Sequence, residues 1–449
     1  MGRPAKAQFL PLRDAIRTAT ENYGYVKAKA NYAKATESLA EQTRREYLPN
    51  LSLSAQQDYG TVNGQNGPLY GYGGLGVASS GLPLAQQNWN SAFGALYLAN
   101  VSWDFFAFGR MKNKIKAAEK SAVRDELDYE QELFQHKVRV AGTYLNLLAA
   151  QRLLQTAEKN LSRSEALLTV VSARSKTGLA PGVDSTLALA EIAGARIALT
   201  NARSNAQDQA NLLTRYIGIP SAEFTADTTF ASRLPPVTAD KKAFEVRPEI
   251  HPQLRFQRSR AEQSQAQSGY IRTLAYPTFS LFSVFQTRGS GFKANYALDQ
   301  HAFNHSYADG VNPVRSNYLL GVGTTWNLTS ILRTSPQAAS QSFITKGIND
   351  EYTQTDLNLK SQLLLANQKM DNAISNYRNS GIQLKAATEA YNQKMVLYRS
   401  GLSNITDLTQ ARYILNRAES DRSIAVTNVW QALLLQAASA GDFSLFMNE

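Results

Sequence analysis

Thr177-Gly178-Leu179-Ala180-Pro181-Gly182-Val183-Asp184, followed by Ala188, and Ser400-Gly401-Leu402-Ser403-Asn404-Ile405-Thr406-Asp407, followed by Ala411, are one pattern read twice at an offset of 223 residues. The sequence on either side keeps the offset. Before the first turn, Val140, Leu147, Leu154, Leu161 and Leu168 recur every seven residues, with Thr143, Ala150, Ala157, Ser164 and Val171 interleaved. Before the second, the large set is Leu363, Met370, Tyr377, Leu384 and Tyr391, and the interleaved set is Ala366, Ala373, Ser380, Ala387 and Lys394. Alternating 3- and 4-residue spacing over five heptads predicts coiled-coil helices. Large residues facing small ones let the backbones approach closely. After each Gly-Leu turn the seam is alanine: Ala188, Ala195 and Ala202, then Ala411, Ala418, Ala425 and Ala432. Each half is therefore a long helix, a tight turn and a returning helix. The first outward helix, from about Arg110 to Arg174, would be roughly 100 Å long at ~1.5 Å per residue.

Farther out lie four strand candidates. Residues 47–59 alternate Leu51, Leu53 and Ala55 against Ser52, Ser54, Gln56 and Asp58. Residues 92–105 set Phe93, Ala95, Tyr97, Ala99, Val101, Trp103 and Phe105 against Gly94, Asn100, Ser102 and Asp104. Residues 317–328 place Tyr318, Leu320, Val322, Trp326 and Leu328 on one face and Gly321, Gly323, Thr325 and Asn327 on the other. Residues 276–287 are less regular, because Phe282 and Val284 break the alternation. Strands of this kind suit a membrane barrel, with a soluble sandwich as the plainer alternative. Gly- and Asn-rich loops over 60–91 and 288–316 join the pairs, as outside the cell in outer-membrane barrels. The opposite strand ends carry Tyr47, Trp103, Phe106, Tyr276 and Trp326, with Arg44, Arg45, Arg110, Lys112, Lys114, Arg272 and Arg333. Aromatic rings sit well at a membrane–water boundary, and the cations are expected to reach lipid phosphates. Four strands cannot close a spanning barrel, and an open edge is not tolerated in lipid, so the chain is expected to oligomerise.

The 449 residues include no cysteine and only four histidines, which excludes disulfides and thiolate metal sites within them, and a lipidated N-terminal cysteine is not expected. Net charge is +11, and its placement at the strand ends accounts for part of it without nucleic acid. No run of 18 apolar residues forms a transmembrane helix. Ala5-Lys6-Ala7 has the form of a signal-cleavage site or is simply a disordered start.

Taken together, the duplicated layout, Tyr47-Leu48-Pro49 and Tyr276-Pro277 opening strands, Phe105-Phe106-Ala107-Phe108-Gly109-Arg110 leaving the second strand, Arg247-Pro248-Glu249-Ile250 and the two Gly-Leu…Asp turns make the chain resemble the TolC family of outer-membrane efflux proteins, from Leu12-Arg13-Asp14-Ala15 to about Ala440. The resemblance implies a mainly α protein with a transmembrane β part: a homotrimer in the outer membrane of a Gram-negative bacterium. Four strands per protomer would enter a shared 12-stranded barrel, and the coiled-coil helices would form a periplasmic α-barrel. It implies periplasmic helices over 8–46, strands one and two with their extracellular loop over 47–109, a long hairpin over 110–217 and an equatorial segment over 218–246. The second repeat then supplies a helix over 247–274, strands three and four over 275–333 and a hairpin over 334–440, before a tail over 441–449. Pro220, Pro235 and Pro236 would interrupt the equatorial helices. The expected partners are outer-membrane lipid, a periplasmic adaptor (membrane fusion) protein and an inner-membrane RND or ABC pump, with no nucleic acid. Gly178, Leu179, Asp184, Arg399, Gly401 and Leu402 would meet the adaptor. Asp407 would form a cation-attracting periplasmic gate; where relatives often have a second acid three residues on, this chain has Gln410. Read locally, Asp407 and Asp184 are also candidate helix N-caps.

The function expected is export, not enzymatic and without a cofactor. A soluble coiled-coil scaffold would explain the heptads but not the strands, and a passive porin would not need the long helices. Gly71-x-Gly73-x-x-Gly76 fits a dinucleotide fingerprint only on paper, because it needs a strand before it and a helix after it. His301 and His305 are spaced for a metal but lie in a loop, and His136 and His251 read as solitary surface or interface histidines.

Overall fold

The computed structural model describes residues 8–64, 71–72, 75–76, 81–219, 224–227, 230, 233–235 and 244–447. Ala5-Lys6-Ala7, Gly73, Pro220 and Pro236 lie outside them. The chain order is β1 (Gln8–Leu10), α1 (Leu12–Asn22), α2 (Gly24–Arg45), β2 (Asn50–Thr61), β3 (Gly71–Tyr72), β4 (Leu75–Gly76), β5 (Ser91–Phe106), α3 (Arg110–Lys176), α4 (Gly182–Ile217), β6 (Phe224–Ala226), α5 (Pro252–Thr273), β7 (Thr278–Ser290), α6 (Tyr307–Val311), β8 (Arg315–Thr325), α7 (Thr329–Arg399), α8 (Ile405–Ala440) and α9 (Ser444–Met447). It divides into two compact units: Glu37–Lys120 with Gln263–Ile344, and Met1–Thr36 with Ser121–Glu262 and Thr345–Glu449.

The first unit holds one antiparallel sheet in the order β2-β5-β7-β8. Residues opposite one another share a face, and the register gives two unlike faces. One carries Leu51 and Leu53 beside Val101 and Ala99, and Leu281 and Phe285 beside Val322 and Tyr318. The other carries Ser52 and Ser54 beside Asn100 and Leu98, and Gln286 opposite Asn317. Phe282, which disturbs the alternation in sequence, stands on the polar face opposite Gly321. A Cβ at Gly321 would come within 2.5 Å of the Phe282 ring, so the glycine is what lets the ring lie flat on the neighbouring strand.

Two strand limits differ from expectation for local reasons. The third strand starts at Thr278, after Pro277, which has no N–H to give to a ladder. The fourth stops at Thr325, because Asn327 already belongs to the approach to α7: it accepts hydrogen bonds from the Ser330 amide at 3.0 Å and the Thr329 hydroxyl at 2.7 Å. Trp326 turns its indole N–H to the Ala275 carbonyl (3.0 Å), and Trp103 does the same to Tyr47 (2.8 Å). Phe106, Phe108, Tyr276 and Phe279 pack as neighbouring rings, so the aromatic residues at these strand ends form a band. Several of the basic residues there also pair within the protein. Arg44 pairs with Glu119 and Glu41, Arg45 with Glu41, Lys114 with Glu46, and Arg110 bonds Thr278 and the Tyr276 carbonyl.

The second unit is built on the helices. Its main core joins Leu12, Ala15 and Ile16 of α1, Val140, Tyr144 and Leu148 of α3, Leu213 and Ile217 of α4, and Val429, Trp430 and Leu433 of α8. Of the heptad residues, Val140, Thr143, Leu147, Ala150, Ser164, Val171, Leu363, Ala366, Met370, Ala373, Ser380 and Ala387 are buried. So are Ala188, Ala195, Ala411, Ala418, Ala425 and Ala432 of the returning helices. β1 and β6 pair in parallel beside this core, tied by the Tyr144 hydroxyl, which donates to the Leu10 carbonyl (2.7 Å) and accepts from the Asp227 amide (2.6 Å). His136 and His251 are core residues, not surface ones: both are essentially fully buried, His136 stacked on Tyr23 and His251 edge-on to Phe134. Gly71 and Gly76 pair across β3 and β4, and the next element among the described residues is the strand β5, not a helix.

Candidate functional site

The repeated turns that open the sequence reading fold in one way. In the first, the Gly178 amide bonds the Ser175 carbonyl (3.1 Å) and the Leu179 amide reaches back to Arg174 (2.9 Å). In the second, Gly401 bonds Tyr398 (3.1 Å) and Leu402 reaches Leu397 (2.8 Å). This doubled closure is the Schellman stop of a helix. It needs a left-handed residue, supplied by Gly178 at φ 73° and Gly401 at φ 77°. Leu179 and Leu402 then stand 70% and 76% exposed, and Arg399 is exposed beside them.

The two tips share one small core: Leu167 and Val171 of α3, Ala188 of α4, Tyr398 of α7, and Ile405 and Leu408 of α8. Arg174 joins them. Its guanidinium donates to the carbonyls of Tyr398 (2.5 Å) and Arg399 (2.9 Å) across the seam, and to Leu179 (3.4 Å) on its own side. A cation there also meets the negative end of α7. Above it, Arg412 of α8, itself buried, bonds Glu191 of α4 and Ser164 of α3. Arg163 of α3 clasps Glu419 of α8 with two bonds, at 3.0 and 2.6 Å. Burial raises the pKa of the Tyr398 phenol, and the Asp184 carboxylate nearby adds to the effect.

Asp184 and Asp407 each occupy the third position of their helix, and neither is its cap. Asn404 caps α8, its side chain accepting from the Asp407 amide at 2.8 Å, while α4 starts after Pro181 with no side-chain cap. The capping explanation for the two aspartates is thus corrected; a favourable end of the helix dipole remains. The Asp407 carboxylate is engaged from another direction. Lys394 donates to it at 2.8 Å and Ser403 at 3.3 Å. The hydrogen bond from Lys394, with its charge, holds the carboxyl below its usual range. Gln410, one turn on, is exposed. All the tip residues read from sequence are brought to this region. Lys394, Arg174, Asn404 and the Arg412–Glu191 pair were not read as members of the site. Lys394 alone left a local sign, a lysine in a heptad series otherwise made of Ala and Ser.

Elsewhere, His301 and His305 are exposed, and among the described residues no three metal-binding side chains gather. The family model of the outer membrane efflux protein matches residues 15–219, which is the first of the two repeats. Over that stretch, a little under half of the 449 residues, the chain is similar to the outer membrane efflux protein family. No curated protein sequence matches it. The fold of the chain is similar to that of several solved outer-membrane channels. With VceC of Vibrio cholerae the TM-score is 0.74 at 15% identity, covering 96% of each chain. With CusC it is 0.78 at 14%, covering 98% of this chain and 95% of that one. With MtrE of Neisseria gonorrhoeae, solved in its open state, it is 0.73 at 15%, covering 96% and 89%. The family and these neighbours are channels, not enzymes.

Proposed function

We propose that this protein is the outer-membrane channel of an efflux or type I secretion machine. Three copies close one twelve-stranded barrel in the outer membrane of a Gram-negative cell, and their helical hairpins form the periplasmic duct. The observation that carries the reading is the four-stranded sheet. Its outer strands, β2 and β8, have no further partner among the described residues. Its apolar face leaves Leu51, Leu53, Tyr318, Leu320 and Val322 exposed. In water such a surface aggregates; in lipid the apolar face is at home but the edges must be closed. Identical copies joined edge to edge meet both demands. A soluble scaffold leaves that face unexplained.

Within this reading, Gly178, Leu179, Asp184, Arg399, Gly401 and Leu402 meet the periplasmic adaptor, and an RND or ABC pump in the inner membrane supplies energy. The exposed leucines beside a basic side chain support that assignment. Asp407 and Gln410, with Lys394, line the periplasmic gate, and Arg174 holds the two hairpins shut against each other. Replacing Arg399 and Leu402 together should weaken crosslinking to the adaptor several-fold and leave the yield of trimer unchanged. Undiminished crosslinking and export would assign the contact elsewhere.

A further inference from the structure

The four sheet strands carry four charged side chains, and all lie on the polar face. Asp104 is at the end nearest the helices, where it accepts from Ser280 (2.5 Å). Asp58, Arg288 and Arg315 are at the end bearing the long loops. Arg288 and Arg315 stand directly opposite each other on β7 and β8, in the same row as Gln56 and Leu96. Like charges placed opposite in a sheet repel. A pair kept there on an exposed face lowers its energy by drawing an anion between or beside the guanidinium groups, which suit oxyanion geometry. Arg288 also reaches Gln286 at 3.5 Å, one row below, opposite Asn317. Those amides add donors beneath the pair.

Among the described residues of the four strands, Asp58 is the one acid near this end of that face. It lies one row farther out on β2 and takes the Gln56 amide at 2.8 Å. Barrel closure would bring the β8 of one copy beside the β2 of the next, and with them Arg315 toward the strand that carries Asp58. Two arginines against one aspartate per copy still leave the ring positive.

We infer that Arg288 and Arg315 form an anion-selecting ring at the outward end of the lumen, favouring solutes that bear phosphate, sulfonate or carboxylate groups. The inference rests on the channel reading, because it is barrel closure that turns the polar face into a lumen. Like charges gathered around a narrow path concentrate counter-ions and repel co-ions. Their reach shrinks with salt, from about 10 Å at 0.1 M to about 3 Å at 1 M.

The test uses the full chain in planar bilayers under a KCl gradient, with inorganic pyrophosphate as the anionic probe. The reversal potential of the unmodified channel should favour chloride. The double variant Arg288→Gln, Arg315→Gln should keep the conductance and move the potential toward potassium, whereas Arg288→Lys, Arg315→Lys should keep its sign. Pyrophosphate added on the loop side should block the unmodified channel at a concentration at least tenfold lower than the glutamine variant. The difference should fade at 1 M salt. Equal potentials and equal block would overturn the ring. Selectivity that followed the charge of the lipid, and not pyrophosphate, would put the pair against headgroups and overturn it as well. Absence of any conductance would count against the channel reading, and melting in detergent would then decide the ring. Pyrophosphate should raise the melting temperature of the unmodified protein but not of the glutamine variant; equal shifts would refute it.

Discussion

At the scale of single residues, Asp407 and Lys394 separate three roles that one aspartate would otherwise be asked to fill. Asn404 does the capping and Lys394 offsets the charge, so Asp407 is left as one half of a balanced pair. Lys394→Gln should therefore expose the carboxylate and move the reversal potential toward cations, while Asp407→Asn should move it toward anions. Neither should shift thermal stability much. Asn404→Ala should do the reverse, costing about 1 kcal/mol of stability with no change in selectivity. Two unchanged potentials would show that the conducting path avoids this pair.

His251 gives a residue-scale prediction of pH dependence. Burial pushes its pKa down to about 4, opposed by the neighbouring Ala438 carbonyl and more weakly by the Asp356 carboxylate. The Gln253 amide donates to Nδ1 (3.2 Å), a bond only the neutral ring can accept. The unfolded histidine binds a proton near its ordinary value of about 6.5, while the folded one stays neutral. Its contribution is therefore fully present above that pH and is lost as pH falls toward 4, on the order of 3 kcal/mol across the window. His251→Gln should flatten the melting temperature between those limits. A profile as steep as that of the unmodified protein would assign the dependence to other groups. Gly441 packs against the same ring at φ 78°, and an added Cβ would lie 2.5 Å from it, so Gly441→Ala should destabilise by about 2 kcal/mol.

At the scale of elements, the two Schellman turns and the Arg174 bridge determine how the hairpins end. Gly178→Ala and Gly401→Ala should each cost about 1 kcal/mol, since alanine must take the left-handed conformation. Arg174→Gln removes charge-assisted bonds to two carbonyls, so amide exchange over 396–404 should speed up about tenfold, equivalent to ~1.4 kcal/mol. Unaltered exchange would show that the apolar cluster of Leu167, Val171 and Leu408 holds the tips without it. These elements were legible because their causes are local. Heptad spacing sets the helices, glycine sets the turns, and alternation sets three of the strands. The third strand was blurred because Phe282 is explained by Gly321, which is far along the chain. Arg174 with Tyr398, Arg412 with Glu191 and Arg163 with Glu419 are likewise partnerships between the two repeats, and no window of sequence contains both members. Lys394 was visible as an anomaly in its heptad, yet its partner Asp407 lies across a turn, and heptad spacing does not say which way a lysine swings.

At the scale of the whole molecule, the central claim is that the protomer is incomplete and that its sheet edges are joined by copies of itself. The absence of cysteine makes this directly measurable. One cysteine placed in β2 and one in β8 can report only on each other, and within a protomer β5 and β7 lie between those strands. Treated in native membranes with a short bis-maleimide, the doubly substituted protein should give a ladder of one, two and three linked copies and nothing beyond, while either single substitution should give at most a weak dimer. A double variant that stays monomeric, or a ladder that climbs without limit, would contradict a closed trimeric barrel.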